Sequence, residues 1–168
     1  FPRSPQLMEF TYLDNDYIII NNHFKCCGDG VLDSNNSNDE ENRRLQAITY
    51  LKEFLDDNFS NANVVLLGDL NDNLSDTVEN NVFQFFIDDN ENYQFVDMQI
   101  SQGSSLNWSY PTWPSHLDHI LISNELFEDF QNQNSLVSVI KIDEYMGGWN
   151  NYDSNVSDHR PIGIKLSH

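Results

Sequence analysis

The fold can be read outward from one stretch, Val64-Val65-Leu66-Leu67-Gly68-Asp69-Leu70-Asn71-Asp72. Four apolar residues, two of them β-branched, run directly into a polar segment that begins with glycine. A short continuous apolar run bounded by turn residues predicts a buried strand. Asp69 and Asn71 stand where this strand stops, so we expect them to face the same way at its end. A carboxylate and a carboxamide in that position can hold a water molecule or a cation.

A helix is predicted before this strand. Asn38-Asp39-Glu40-Glu41 supplies an N-cap and a Glu that can reach back to it. Helical spacing then gives an apolar face and an end near Asn58, the face being Leu45, Ile48, Leu51, Phe54 and Leu55. Further upstream, Phe10 to Leu13 and Tyr17 to Asn22 read as a hairpin around Asp14-Asn15-Asp16. The order strand, helix, strand indicates α/β layering.

Shorter elements are predicted after the central strand. We expect helices over 82–87 and 124–130, an edge strand over 93–98, strands over 117–122, 136–142 and 161–166, and loops over 101–115 and 147–151. Four polar clusters lie at the ends of apolar strands: Asn22-His23, Asp69-Leu70-Asn71, Asp118-His119 and Ser157-Asp158-His159. In a layered α/β sandwich, strand ends at one edge form a common rim. The sequence therefore predicts one site that these clusters share.

Each cluster also has a purely structural interpretation. Asp69 and Asn71 can simply cap a turn, and His23 alone is more often a hydrogen-bonded, partly buried histidine. Asp118 is harder to explain in that way, because a carboxylate in a buried run costs several kcal/mol (order of magnitude) unless it is paired. His159 is its candidate partner. Trp108, Tyr110 and Trp113 are expected to pack as a lid or rim, with substrate stacking as the alternative.

The size and charge of the chain limit which substrates and partners it can bind. The chain has 168 residues, within the size of one domain, and carries 27 acidic against 8 basic residues. Such a surface repels nucleic acid, so a polyanionic substrate needs bound cations or a local basic patch. No apolar run is long enough for a transmembrane helix. Cys26 and Cys27 fit two reduced thiols, a vicinal disulfide or two bridges to other sequence; both disulfide forms imply an oxidising compartment.

The four clusters carry a family resemblance. Asn22-His23, Gly68-Asp69-Leu70-Asn71, Leu117-Asp118-His119-Ile120 and Ser157-Asp158-His159-Arg160-Pro161 resemble, in order and spacing, the endonuclease/exonuclease/phosphatase superfamily of DNase I-like nucleases, sphingomyelinases and inositol polyphosphate 5-phosphatases. The segment from Arg3 to Phe10 is similar to the part of that family before the hairpin, and His23 to Gly30 resembles secreted bacterial members. The resemblance implies an α/β fold, the C-terminal portion of a DNase I-like four-layer α/β sandwich.

The resemblance also implies roles for these residues in metal-assisted phosphoester hydrolysis. His159 would be the base or charge-bearing partner at the attacking water, oriented by Asp118, and His23 would donate to a non-bridging oxygen. Asp69 and Asn71 would position the water and a phosphate oxygen. The implied metal is Mg²⁺ or Mn²⁺, with Ca²⁺ as a third candidate, held by Asp158, Asp69 and Asn71. The candidate substrate contacts are Asn22, Arg3 and Trp113.

One departure from the family pattern sets the remaining expectations. The metal-holding Glu of the family's N-terminal half has no counterpart before Arg3. Residues 1–168 are therefore expected to be the C-terminal part of one domain and to be weakly active or inactive alone. We also expect one apolar face of the sheet to be uncovered. The N-terminal half is then an implied partner. The leading interpretation is a secreted or periplasmic nuclease; His23 disfavours an abasic-site endonuclease. The alternatives are a phosphatase or phospholipase-C-type enzyme on lipid or inositol phosphates, and an inactive binding module.

Overall fold

The computed structural model describes residue 1 and residues 3–168. Its helices and strands are β1 Gln6–Tyr12, β2 Asn15–His23, α1 Glu40–Asn58, β3 Asn63–Asp69, α2 Gln84–Asp88, β4 Tyr93–Phe95, α3 Met98–Ser101, β5 Asp118–Ser123, α4 Phe127–Gln131, β6 Leu136–Val139, α5 Trp149–Asn155 and β7 Ile162–Lys165. Turns of 3₁₀ helix lie at Ser105–Asn107, Asn124–Leu126 and Ile142–Tyr145. In the described part of the chain, every helix is too short or too polar to span a lipid bilayer.

Five strands form a mixed sheet in the order β1-β2-β3-β5-β4. Strands β2 and β3 are parallel, and α1 connects them, while the other pairs are antiparallel. Strand β4 is an edge strand, as predicted. Strands β6 and β7 pair with each other in a second, two-stranded sheet. The predicted α/β layering is confirmed, with the apolar run 64–67 in the middle of the large sheet.

The first hairpin has a tighter turn than the sequence predicted. Asn15 already pairs with Tyr12, so only Leu13 and Asp14 form the turn. Both have positive φ angles, 50° and 63°, which is the signature of a type I′ turn. The right-handed twist of two paired strands favours this turn, and it overrides the poor fit of Leu13 to a left-handed conformation.

One face of the large sheet packs against α1 and α2. Asp39 caps α1, since its Oδ1 accepts from the Asn42 backbone N–H at 2.7 Å. The predicted reach-back by Glu41 is wrong, because its carboxylate accepts from Gly30 N–H and pairs with Arg44 instead. On the apolar face of α1, Ile48, Leu51 and Leu55 are buried, Leu45 is partly buried, and Phe54 is 41% exposed. The core on this side includes Ile20, Ile48, Leu51, Leu55, Leu66, Phe83, Phe86 and Leu121.

The opposite face of the large sheet is covered only in part. Its buried cluster is Tyr17, Val65, Val96, Ile120, Ile122 and Leu126, against which side chains of α4, β6 and β7 pack. Strand β1 extends beyond this cover: Met8 and Tyr12 are 51% and 57% exposed, and Phe10 stacks on Tyr17 at a centroid distance of 5.2 Å. The expectation that one apolar sheet face is uncovered is therefore wrong for most of the sheet, since both faces carry packed side chains, and the exposed apolar residues of this face lie on the edge strand β1.

The segment after Gly147 was predicted as a loop, but it contains α5, Trp149–Asn155. Its sequence has no periodic apolar stripe, and only Tyr152 of the helix is buried. Tyr152 Oη donates to the main-chain oxygen of His159 at 3.1 Å. Tyr152 thus connects the helix to the polar segment before β7, as does Trp149, over whose ring the Arg160 guanidinium lies at 5.3 Å.

Candidate active site

Three strand ends meet at one edge of the large sheet. Because β2, β3 and β5 are neighbours, their registers place His23 beside Asp69, and Asp69 opposite Asp118. The fourth cluster, which contains His159, lies between α5 and β7 and contacts the same edge. The four clusters that the sequence singled out are therefore in one place.

Gly68 allows β3 to end in this geometry. Its φ is 134°, and a Cβ at this position would lie 1.9 Å from the main-chain oxygen of Asn22. A side chain is thus excluded both by the backbone angle and by the close approach of β2.

The two carboxylate oxygens of Asp69 make different contacts, one with the backbone and one with a side chain of the cavity. Its Oδ1 accepts from the Asn71 backbone N–H at 3.1 Å, and Asn71 has a φ of 56°. This is the turn-capping arrangement of the structural interpretation. Its other oxygen, Oδ2, lies 3.3 Å from His23 Nε2. The structural and the functional interpretation of this motif are therefore compatible, since each uses a different oxygen.

His159 and Asp118 form the predicted pair. His159 Nδ1 lies 2.7 Å from Asp118 Oδ2, and both side chains are mostly buried. Tyr110 lies against the imidazole, with ring centroids 4.8 Å apart. These two contacts fix the ring, so that Nε2 is the nitrogen left to meet a substrate.

The electrostatics of the three central groups differ. Burial raises the pKa of Asp69, and the neighbouring charge of Asp118 raises it further. Burial acts in the same direction on Asp118, but the hydrogen bond and charge of His159 outweigh it and lower the pKa of Asp118. Burial disfavours protonation of His159, yet its hydrogen bond to Asp118 and the surrounding carboxylates raise its pKa. Asp118 and His159 therefore each stabilise the charged form of the other, and a second carboxylate, that of Asp69, lies beside them.

These groups line an open cavity of about 800 Å³. All five predicted catalytic residues line it: His23, Asp69, Asn71, Asp118 and His159. The predicted metal ligand Asp158 and the predicted substrate contact Trp113 line it as well. The lining also includes Cys26, Cys27 and Tyr110. Trp113 is 74% exposed at the rim. The predicted contacts Arg3 and Asn22 lie instead in an adjoining cavity of about 290 Å³, which shares His23 and Asp69 with the first. Asn22 is buried, with Nδ2 donating to Ile20 O at 3.4 Å.

Among the residues that the structure describes, two groups of side chains have donor atoms close enough to hold a metal ion. In the cavity, ligand atoms of Asp69, Asp118 and His159 lie within 4.8 Å of one another. Asp158 and Asn71, which the sequence also proposed as ligands, line the same cavity, with Asp158 exposed. Carboxylate and amide oxygens are the donors that Mg²⁺ and Mn²⁺ prefer, so the residues present fit such an ion. The second group, Asp97, His116 and His119, is fully buried.

That buried group supports the site from behind. Asp97 Oδ2 lies 3.0 Å from His116 Nε2 and 2.7 Å from His119 Nδ1. His116 Nδ1 in turn accepts from the Ser109 backbone N–H at 3.3 Å. The Ser109 hydroxyl oxygen accepts from the backbone N–H of Asp118 at 3.2 Å, and its carbonyl accepts from the N–H of residue 160 at 2.7 Å. Ser109 thus fixes the backbone on both sides of the Asp118–His159 pair.

Two functional features escaped the sequence reasoning. Ser109 carries no sequence signal, because a serine in a loop is common and only its partners make it special. Tyr110 was grouped with the neighbouring aromatic residues as a rim, but its contact with His159 distinguishes it. Trp108, of the same group, is structural, since its Nε1 donates to Ile100 O at 3.0 Å.

The comparison with known proteins agrees with this geometry. The sequence model of the Endonuclease/Exonuclease/phosphatase family matches residues 1–159. The chain belongs to this family. Its members are phosphoesterase hydrolases, and the mixed sheet with its helices matches their DNase I-like fold. No curated protein sequence matches the chain.

Several solved structures share the fold at low sequence identity. D. rerio TDP2 complexed with single strand DNA product has a TM-score of 0.61 at 13% identity, over 96% of this chain and 60% of that one. The human Nocturnin catalytic domain with bound sulfate gives 0.54 at 14%, over 97% and 52%. Staphylococcus aureus beta toxin gives 0.53 at 17%, over 96% and 56%. The chain therefore spans at most 60% of the length of these structures.

Proposed function

We propose that this protein hydrolyses phosphodiester bonds in a reaction that depends on a divalent metal. The observation that carries the proposal is the 2.7 Å contact between His159 Nδ1 and Asp118 Oδ2 beside the carboxylate of Asp69. An oriented imidazole next to a second carboxylate can take a proton from a water molecule and stabilise the charge that follows.

In the proposed reaction each side chain has one task. In its neutral form His159 takes the proton of the attacking water through Nε2, and Asp118 holds the imidazole and stabilises the positive charge that results. Asp69 and Asn71 position the water and a phosphate oxygen. His23 donates a hydrogen bond to a non-bridging oxygen as negative charge develops there.

Asp69, Asn71 and Asp158 are the proposed ligands of Mg²⁺ or Mn²⁺. When bound, the metal supplies Lewis-acid stabilisation of the phosphate oxygens. The chain's own contribution is oxygen ligands at a cavity wall where two carboxylates lie on opposite strands. With a net charge of −19, the protein depends on such a cation to accept any anionic substrate.

Nucleic acid is the proposed substrate. The support is the shared fold with D. rerio TDP2, whose structure was solved with a single-strand DNA product. Trp113 at the rim offers a face on which a base can stack. The acidic surface supports a second candidate, a small or lipid-linked phosphoester such as an inositol phosphate, because such substrates carry fewer charges to be repelled.

The test is nicking of supercoiled plasmid with Mg²⁺, with and without EDTA, beside release of phosphate or phosphocholine from inositol phosphates and sphingomyelin. For the full-length gene product we expect plasmid cleavage that EDTA abolishes and that His159→Ala lowers by about 10²–10⁴-fold. The matched control is His168→Ala, because His168 is a histidine outside the cavity, beside Tyr17 and Asp129. Cleavage that EDTA leaves unchanged contradicts metal dependence. Phosphate or phosphocholine release without plasmid cleavage selects the second substrate class.

We also propose that a further polypeptide segment of the same domain covers the exposed apolar surface of β1 and raises activity. The exposure of Met8 and Tyr12 and the fraction of TDP2 that the chain spans support this. Hydrogen exchange of β1 amides should be slower in any longer product of the gene than in this chain; equal exchange contradicts the proposal. A secreted or periplasmic location is proposed from the adjacent cysteines and acidic composition, and cell fractionation tests it.

A further inference from the structure

Two adjacent cysteines stand at the wall of the active-site cavity without a task in the proposed hydrolysis. Cys26 and Cys27 are exposed free thiols, and their sulfur atoms lie 3.0 Å apart. Both line the cavity that contains His23, Asp69 and His159. A small molecule that enters the cavity therefore meets both sulfur atoms.

The loop that carries the thiols is held from below by a buried guanidinium. Arg44 Nη1 donates to the main-chain oxygens of Lys25 and Cys27, each at 2.8 Å, which are on both sides of Cys26. The Arg44 side chain is 3% exposed and pairs with Glu41 and Asp72 at 3.1 Å and 2.8 Å. A buried cation with these partners is costly to displace. The backbone around the cysteines is therefore fixed rather than a free surface loop.

The glycine after the two cysteines packs against the same buried ion pair of Glu41 and Arg44. Gly28 has a φ of 108°, and a Cβ there would lie 2.2 Å from Glu41 Oε1. Cys27 itself has a φ of 73°, in the left-handed region that residues other than glycine rarely adopt. The chain thus turns sharply at the pair, and the turn brings the two sulfur atoms together.

The two thiols are not equivalent. The Lys25 ammonium lies 3.9 Å from Cys26 Sγ, and the Cys27 thiol donates a hydrogen bond to the same sulfur. The hydrogen bond from Cys27, helped by Lys25, lowers the pKa of Cys26, and the same contact raises the pKa of Cys27. A thiolate is the nucleophile in disulfide exchange, so Cys26 is suited to attack and Cys27 to resolve.

We propose that Cys26 and Cys27 form a redox-active dithiol site at the wall of the active-site cavity, which reacts with small-molecule disulfides of the glutathione type. The Cys26 thiolate attacks one sulfur of the reagent, whose S–S bond breaks and whose other half leaves as a thiolate. Cys27 then loses its proton, its sulfur attacks Cys26, and the second half leaves. Two electrons pass from the cysteines to the reagent, which ends as two thiols, and the protein gains one S–S bond.

The disulfide between Cys26 and Cys27 is expected to form reversibly rather than to be a permanent structural bond. Neighbouring Cα atoms are about 3.8 Å apart across a trans peptide, closer than disulfide-linked residues usually lie. A bond closed under that constraint is strained, and strained, exposed disulfides are the easily reduced ones.

The experiment is incubation of the reduced 168-residue chain with oxidised glutathione, followed by intact-protein mass. The chain has two cysteines in all, so each mass has one assignment. We expect the natural chain to lose two hydrogen atoms and to retain no glutathione. Cys27→Ser should stop at a stable glutathione adduct, and Cys26→Ser should react at least about tenfold more slowly than Cys27→Ser. Circular dichroism confirms that the exposed substitutions leave the fold intact.

Three results would overturn the proposal: retention of glutathione by the natural chain, no reaction at all, or equal rates for the two single variants. The same measurement in concentrated urea tests the role of the loop. If the folded loop, held by Arg44, creates the difference between the two thiols, the two variants should react at similar rates once the chain is unfolded. A difference in rate that persists in urea would show that the folded loop is not its cause. Neither substrate nor metal is present, so the outcome is independent of the proposed hydrolysis.

Discussion

Replacing Asp97 by Asn tests the buried support of the active site without any assumption about substrate. The side chains of Asp97, His116 and His119 are at most 1% exposed. Asp97 Oδ1 accepts from the Ile120 backbone N–H at 2.9 Å, while Oδ2 faces one nitrogen of each imidazole. The carboxylate therefore accepts three hydrogen bonds in the core, and an amide of the same size can accept only part of them.

The partners assign the protons of both imidazoles. His119 Nε2 lies 2.8 Å from the main-chain oxygen of Asp72, which can only accept, and its Nδ1 faces the carboxylate. Both nitrogens of His119 thus face acceptors, as in an imidazolium, and although burial opposes protonation, the charge of Asp97 and its hydrogen bond raise the pKa of His119. His116 accepts at Nδ1 from Ser109, so its Nε2 carries the proton.

Asn at position 97 can satisfy one histidine but not both. His119 can give up its Nδ1 proton and accept from the new amide. The His116 Nε2–H would then point at an N–H₂ group and lose its acceptor. Breaking a buried ion pair from one side costs about 3–5 kcal/mol, a large part of the roughly 5–15 kcal/mol that stabilises a typical domain. We expect the melting temperature to fall by roughly 6–20 °C.

Urea and thermal unfolding followed by circular dichroism measure this loss. Asp153→Asn is the matched control, because Asp153 is exposed on α5, and its change should stay within about 0.5 kcal/mol. A loss below about 1 kcal/mol for Asp97→Asn would refute the assignment of a buried, charged His119–Asp97 pair.

The pH dependence provides a second measurement on the same variant. The two histidines outweigh the effect of burial and lower the pKa of Asp97 from 3.8 to about 2. A lowered carboxylate pKa stabilises the fold above the unfolded-state pKa, and that contribution is lost as the pH falls through the folded-state value. Between about pH 5 and about pH 3 the natural chain should therefore lose about 1 kcal/mol more than Asp97→Asn; parallel curves contradict the lowered pKa.

Three further changes act on the site itself. Asp118→Asn should lower kcat by about 10⁴-fold with the fold intact, because the amide favours the wrong tautomer of His159; plasmid nicking beside circular dichroism checks this, and an unchanged rate contradicts it. Ser109→Ala leaves backbone N–H groups without their acceptor, so unfolding in urea should show a loss of about 1–3 kcal/mol and kcat should fall more than KM rises. Gly68→Ala should destabilise the chain by more than 3 kcal/mol (order of magnitude), since the alanine Cβ would clash with the main-chain oxygen of Asn22. A smaller loss in the same assay would show that β2 and β3 can move apart at a low cost in free energy.

The sequence predicted the edge of the sheet well because two local signals agree there. Apolar runs such as 64–67 define buried strands, and polar residues at their ends cannot remain in the core. Sheet order was beyond local signals: only the pairing of β3 with β5 places Asp69 opposite Asp118, and these residues are far apart in the chain.

Other features had misleading local signals. Glu41 and Arg44, three residues apart on a helix, look like a surface ion pair, yet both are buried because the loop after β2 covers them. Helix α5 had no apolar stripe and two glycines before it, and its contacts come from the buried Tyr152 and from Trp149, which packs on Arg160. Contacts between distant segments decided these cases.

The arrangement of charges at the sheet edge is the strongest physical argument that the site is functional. Like charges on directly opposed residues of neighbouring strands destabilise a sheet, and here Asp69 and Asp118 are such a pair. His159 compensates Asp118 directly at 2.7 Å, whereas Asp69 lies 3.3 Å from the half-exposed His23 and shares the charge of His159 with Asp118. The carboxylate of Asp69 thus keeps negative charge that a more stable sequence would avoid. A divalent cation in the cavity would relieve that charge and also offset the repulsion between the acidic protein and a phosphate, so one ion would serve both stability and substrate binding.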